Sequence, residues 1–261
     1  MNKKSGYKSI PLSFNRRAVI ASATVTKEKN AIHCITEVEI SEPRRRILEH
    51  FNKTGEKLSM TAYIVTCLAQ VIKDHPHLNS FHKGRKQIIL DNVTVNVLIE
   101  REINGEKVPE PLGIKMAQLK TYREINNEIR EVQKRTGDQL GSLSGMTWLR
   151  MIPGFLLRTF VRIADHNIRI AERYGKVCVT AVGMFNKDSV WFIPHGTATV
   201  LITVGGISDK VIQVEDKIVA REHLCLTVSF DHNIVDGAPA ARFVKQFTET
   251  LKNGSLINFE I

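Results

Sequence analysis

A chain of 261 residues that is 43% hydrophobic and 25% charged has enough apolar material for one substantial core. It contains no apolar run long enough to span a bilayer, and Met1 to Ser13 is polar and basic rather than the apolar segment of a secretory signal, an arrangement expected of a cytoplasmic protein. The net charge of +10 favours an anionic ligand, but the basic clusters Arg16–Arg17, Arg44–Arg46 and Lys83–Lys86 are scattered, no nucleic-acid motif accompanies them, and each reads as a solvated face.

Between Thr24 and Ile40, the period-two set Ile32, Cys34, Thr36, Val38 and Ile40 predicts a strand with one buried face. Ser59 predicts an N-cap, and Ile64, Val65, Leu68, Val71 and Ile72 a helix to about Lys73, ended by Pro76. Val93, Val95, Val97 and Ile99 mark a second strand. Leu119, Tyr122, Ile125, Ile129 and Val132 form the stripe of an exposed amphipathic helix from Gln118 to Arg135. Gly137 to Gly145 reads as a loop.

Trp148 to Ile163 is apolar with interspersed arginines and predicts a helix around Pro153–Gly154. Core packing is its default role, and a subunit contact is also favoured. An active-site cover or a membrane-surface contact is the alternative. Lys176–Val182 and Thr199–Val204 suit buried strands, and Val211–Val214 with Lys217–Ala220 suit a hairpin around Glu215–Asp216. Leu224, Leu226, Val228 and Phe230 alternate along a further strand. After Gly237, Ala241, Phe243, Val244, Phe247 and Leu251 restore helical spacing. With no repeat or flexible linker, the pattern is one α/β domain with a large mixed sheet.

Cys34, Cys67, Cys178 and Cys225 lie far apart without a CxxC pair and read as buried reduced thiols. His75, His77 and His82 form a His-x-His-x4-His string, but no carboxylate or cysteine joins them at ligand spacing, so no metal is expected. His195 reads as a turn residue.

The densest chemical signal is Ser229 to Gly237, where His232 directly follows a predicted strand and a helix follows Gly237. A general base needs a lone pair near neutral pH in a fixed orientation, and a strand end supplies the fixity. Gly237 allows a sharp turn, and Asp236 is near enough to organise the site. Equally, Asp236 is a good N-cap for a helix starting near Ala238–Pro239, and His232 an ordinary hydrogen-bonded histidine. On this short pattern alone the two readings stand about even.

The thirteen residues Asp231 to Phe243, Asp-His-Asn-Ile-Val-Asp-Gly-Ala-Pro-Ala-Ala-Arg-Phe, resemble the signature of the dihydrolipoamide acyltransferases, the E2 components of 2-oxoacid dehydrogenase complexes. The His-x-x-x-Asp-Gly core is shared with chloramphenicol acetyltransferase. Arg16–Ala21, Glu37–Ile40, Lys57–Ser59, Pro76–Asn79, Val108–Pro109, Val182–Phe185 and Ile202–Gly205 resemble further family segments in matching order.

The resemblance implies a chloramphenicol acetyltransferase-like two-layer α/β sandwich, with residues 1–261 forming a single catalytic domain and no lipoyl or subunit-binding domain. It implies acyl transfer between a coenzyme A or lipoamide thioester and a thiol or hydroxyl, with His232 as the base. Asp236 would keep the site in shape through an ion pair with an N-terminal arginine, matched by Arg16. Thr180, where the family has a serine, would hydrogen-bond the oxyanion. It further implies a homotrimer with active sites between subunits, and a lipoyl group only if another protein supplies it. A non-catalytic assembly core is the alternative. Gly137–Arg173 and Val93–Glu110 depart from the family pattern.

Overall fold

The structure, a computed structural model, describes residues 6–103, 106–134, 153–183 and 188–258. Its centre is a six-stranded mixed sheet in the order β1-β8-β7-β6-β4-β5. These strands are β1 (Ala31–Glu39), β4 (Val95–Ile103), β5 (Glu106–Ile114), β6 (Val177–Ala181), β7 (Val200–Val214) and β8 (Lys217–Asp231). β6 runs parallel to both β4 and β7, and the remaining pairs are antiparallel. A separate small hairpin joins β2 (Ser80–Lys83) to β3 (Lys86–Ile89).

Strand alternation divides the sheet into two unlike faces. On one, the cross-strand row Val97, Val179, Ile202, Val228 and Cys34 packs into the main core, as does the row Val95, Val177, Val200, Phe230 and Ile32. Helices α3 (Met60–Asp74), α4 (Tyr122–Lys134) and α7 (Gly237–Asn253) cover this face. α3 is buried nearly all round, from Ala62 to Ala69, as its continuous apolar sequence requires. The Ser59 side chain caps it by accepting from the Ala62 N–H, and the Tyr63 hydroxyl donates to the Leu251 carbonyl at 2.9 Å. In α4, Tyr122, Ile125, Ile129 and Val132 are buried as expected, but Leu119 lies in a preceding 3-10 turn and is exposed. The buried stripe of α7 is Ala240, Phe243, Phe247 and Leu251, which places Ala241 on the outer side.

Two helices near the start carry no clear apolar period. α1 (Phe14–Thr26) is capped by Ser13 and buries Ala21 and Val25. α2 (Ser41–Thr54) buries only Pro43 and His50, and Glu42, Arg45, Arg46 and Glu49 pair along its surface at spacings of three and four. β5 was equally hidden in the sequence by Pro109 and Pro111; it is an edge strand, where a missing N–H is tolerated.

The helix expected around Pro153–Gly154 is α5 (Gly154–Asp165), with Pro153 at its N-cap; Gly137–Gly145 and Trp148–Ile152 lie outside the described residues. α5 packs on α1, and an Arg162–Glu28 ion pair ties it to the turn that follows α1. Core packing, its default reading, holds for Leu157 but not for Phe155, Leu156, Phe160 and Ile163, which are exposed in the single chain. A short helix, α6 (Ile168–Tyr174), leads into β6.

Candidate active site

The opposite sheet face is polar. One cross-strand row reads Leu98, Thr180, Thr203, Thr227 and Ile35, and the next Asn96, Cys178, Leu201, Ser229 and His33. Thr180, Thr203, Asn96 and Cys178 line a cavity of about 430 Å³, together with Ser22 of α1 and Phe192, Pro194 and His195. The Asn96 Oδ1 and Thr203 Oγ1 atoms are buried without a hydrogen-bond partner among the described residues. A water-excluded wall with unpaired polar atoms has hydrogen-bonding capacity left for a bound polar group.

The segment that carries Phe192, Pro194 and His195 crosses the sheet close to the backbone. Gly206 N–H donates to Val190 O at 2.9 Å, and Trp191 Nε1 donates to Thr36 O at 3.0 Å. A Cβ at Gly205 would lie 2.1 Å from Val190 O, and one at Gly183 would lie 1.8 Å from the Gly205 carbonyl carbon. Glycine at both positions is therefore a steric requirement of these close backbone crossings.

His232 stands one residue beyond β8. Its backbone N–H donates to Asn30 O at 2.6 Å, and Val235, fully buried, pins the connection to α7. Asp236 occupies the N-cap position of α7 but makes no capping hydrogen bond; its Oδ1 lies 3.7 Å from His232 Nδ1. The capping explanation thus accounts for the position of Asp236 but not for the direction of its carboxylate. Both side chains reach solvent. The sharp turn expected at Gly237 is absent: its φ is not positive, and a Cβ there would meet no atom within 4 Å.

A single chain does not gather all four predicted site residues. Thr180 is level with Thr227 across β7, and His232 lies five residues past Thr227. Strand geometry then separates Thr180 from His232 by about 19 Å. Arg16 lies exposed in the first turn of α1, about 15 Å of helix from Thr26, and no ion pair joins it to Asp236 among the described residues.

His33, not singled out from the sequence, and His195, read there as a turn residue, border this region. His33 Nδ1 is 2.8 Å from Ser229 Oγ, and His195 is on the cavity rim. Only cross-strand register and the path of residues 188–199 reveal them. His75 bonds Gln246, while His82 faces His166, so the His-x-His-x4-His string is directed at separate partners. The four cysteines are unbonded to one another, and burial pushes the Cys67 and Cys178 thiols up to about 12, far from a reactive thiolate.

A mixed sheet with helices on its apolar face and a histidine–carboxylate pair at the end of a central strand defines a chloramphenicol acetyltransferase-like sandwich. Chloramphenicol acetyltransferase itself superposes with a TM-score of 0.50 at 12% identity, covering 91% of this chain and 95% of that one. The family model for 2-oxoacid dehydrogenases acyltransferase (catalytic domain) matches residues 4–147 and 161–258, and the chain belongs to that family. The unmatched gap, residues 148–160, falls within the Gly137–Arg173 departure noted above. A dihydrolipoyllysine-residue acetyltransferase component of the pyruvate dehydrogenase complex from Staphylococcus epidermidis is 26% identical over 253 residues, 94% of this chain and 51% of the relative. The chain therefore spans about half the length of the curated relatives it matches. A probable dihydrolipoamide acetyltransferase from Listeria monocytogenes superposes with a TM-score of 0.71 at 22% identity, covering 98% and 99% of the two chains. The cubic core of a pyruvate dehydrogenase multienzyme complex gives 0.70 at 15%, covering 96% and 93%.

Proposed function

We propose that this chain transfers an acyl group between a coenzyme A or lipoamide thioester and a thiol or hydroxyl acceptor, with His232 as general base. The observation that carries this reading is the His232–Asp236 pair, held at a strand end with the carboxylate turned away from its capping role. His232 removes the acceptor's proton as its sulfur or oxygen attacks the thioester carbonyl. The Thr180 hydroxyl donates to the resulting oxyanion. Collapse expels the thiolate of the donor, which takes the proton back from His232. Coenzyme A is the natural acyl carrier, with a lipoyl group as the other.

The same reading requires a second copy of the chain. Thr180 and His232 are too far apart in one chain to share an oxyanion, and a homotrimer with sites between neighbours brings Thr180 of one subunit to His232 of the next. The exposed Phe155, Leu156, Phe160 and Ile163 of α5 offer apolar surface for such contacts. In this assembly Arg16 pairs with Asp236 across or near the interface. Substituting Arg16→Ala and Asp236→Ala singly is then expected to lower the melting temperature of the assembly, with the double variant costing less than the sum. Strict additivity would show that the two side chains do not interact.

The competing reading is a non-catalytic assembly core, which has no use for the His232, Asp236 and Thr180 set. Thiol release from acetyl-CoA, measured with dihydrolipoamide and a panel of small thiols and alcohols, separates the two. Release that depends on one acceptor class is expected; an assembled protein that is inert with every acceptor would favour the core.

A further inference from the structure

Behind His232 lies a buried chain of alternating charges. Lys176 Nζ is 2.7 Å from Asp165 Oδ1 and also donates to the Asp165 carbonyl. Lys29 Nζ lies 3.2 Å from Asp165 Oδ2 and 3.0 Å from Asp231 Oδ2. All four side chains are at most 7% exposed. Four elements contribute: the α1–β1 turn, the last residue of α5, the entry to β6 and the end of β8. Burial would raise the Asp165 carboxyl, but the Lys176 and Lys29 charges and hydrogen bonds outweigh it and hold the group below the usual carboxylate range.

The free end of this chain grips the backbone on both sides of His232. Asp231 Oδ1 accepts from Asn233 N–H at 3.1 Å and from Asn233 Nδ2 at 2.8 Å. Asn30, next to Lys29, receives the His232 N–H on its carbonyl and donates its Nδ2 to Asn233 Oδ1 at 2.9 Å. The ring of His232 is partly exposed and Asp236 Oδ1 lies 3.7 Å from its Nδ1, while its backbone is held from behind, through residues 231–233.

We propose that the Lys176–Asp165–Lys29–Asp231 chain positions the base, making Asp165 and Lys29 positioning residues for acyl transfer although neither touches the reacting atoms. The inference rests on the acyltransferase reading for its kinetic consequence, though not for its structural one. The charges balance in the native chain. Neutralising Asp165 leaves Lys176 buried with an uncompensated charge, and Asp231 is the other carboxylate whose charge acts on it. Lys176 then competes with Lys29 and Asn233 for Asp231, which loosens the grip on His232.

The test uses the assembled protein and two readouts. In Asp165→Asn, kcat is expected to fall by about tenfold to a hundredfold with KM for the acyl donor little changed, as for a misplaced catalytic group. Amide exchange of the segment from Phe230 to Asp236 should quicken, while that of the core-facing middle of α3 does not. Adding Lys176→Met, which removes the surplus charge, should recover much of both losses. A merely structural role would lower the stability of Asp165→Asn while leaving the kcat of the folded protein and the exchange of Phe230 to Asp236 unchanged. A kcat within twofold of the parent with unchanged local exchange, or a double variant no better than the single, would overturn the proposal. Should Asp165→Asn not fold, Asn233→Ala cuts the same link without stranding a buried charge and is expected to give the same two signatures; normal kcat and exchange there would equally overturn it. If the parent itself transfers no acyl group, the proposed function fails, and the exchange measurements still decide the positioning.

Discussion

Replacing His232 by alanine is expected to lower acyl transfer by about 10²–10⁴-fold, the range general-base catalysis contributes. Stability and assembly should be nearly unchanged. The side chain is 43% exposed and its neighbour Asp236 is 86% exposed, so its removal opens only a surface gap and strands no buried charge. Asp236 cannot take over: an exposed carboxylate is too weak a base for a thiol or alcohol near neutral pH. The measurement is steady-state thiol release from acetyl-CoA, alongside melting temperature and sedimentation. Activity within a few-fold of the parent would remove His232 from the mechanism. An unfolded or dissociated variant would instead mean that the ring serves the structure.

Thr180→Val should have the next largest effect. Valine keeps the β-branched shape that suits the middle of β6, so the strand and the cavity wall persist. Only the hydroxyl is lost. An oxyanion donor of this kind is worth about 3 kcal/mol, or roughly a hundredfold in kcat, with little change in KM for the acyl donor. Thr180→Ser, which retains the donor, should stay within tenfold of the parent. Equal activity in the valine variant would mean that the oxyanion is held elsewhere on the polar face. Asn96 and Thr203, on the same cavity wall, would then be the next groups to substitute.

Much of the frame was legible because its signals are local. The period-two run from Ile32 to Ile40 marked a core-facing strand, and the apolar set from Ile64 to Ile72 marked the central helix. The hairpin around Glu215–Asp216 was visible from its two flanking apolar runs, though its strands extend to fifteen residues each. Where local signals conflict with the final environment, the reading failed. The charged surface of α2 has no apolar stripe, and the two prolines of β5 argue against a strand unless it is known to lie at a sheet edge. Phe155 and Phe160 look like core residues in sequence because nothing local shows that α5 turns them outward.

By itself the sequence determined the family signature from Asp231 to Phe243, the mixed α/β class and the candidate base, since each depends on residue order within one or two elements. The tertiary structure alone decided which residues stand beside that base. It placed Thr180 in a row with Thr203 and Thr227, and set Thr180 and His232 too far apart for one chain to unite. It also joined Asp231 of the signature to Lys29, Asp165 and Lys176, which in sequence are unremarkable charges. The physical reason is common to all of these: strand register and the burial of charge are set by contacts between distant parts of the chain, which no local pattern encodes.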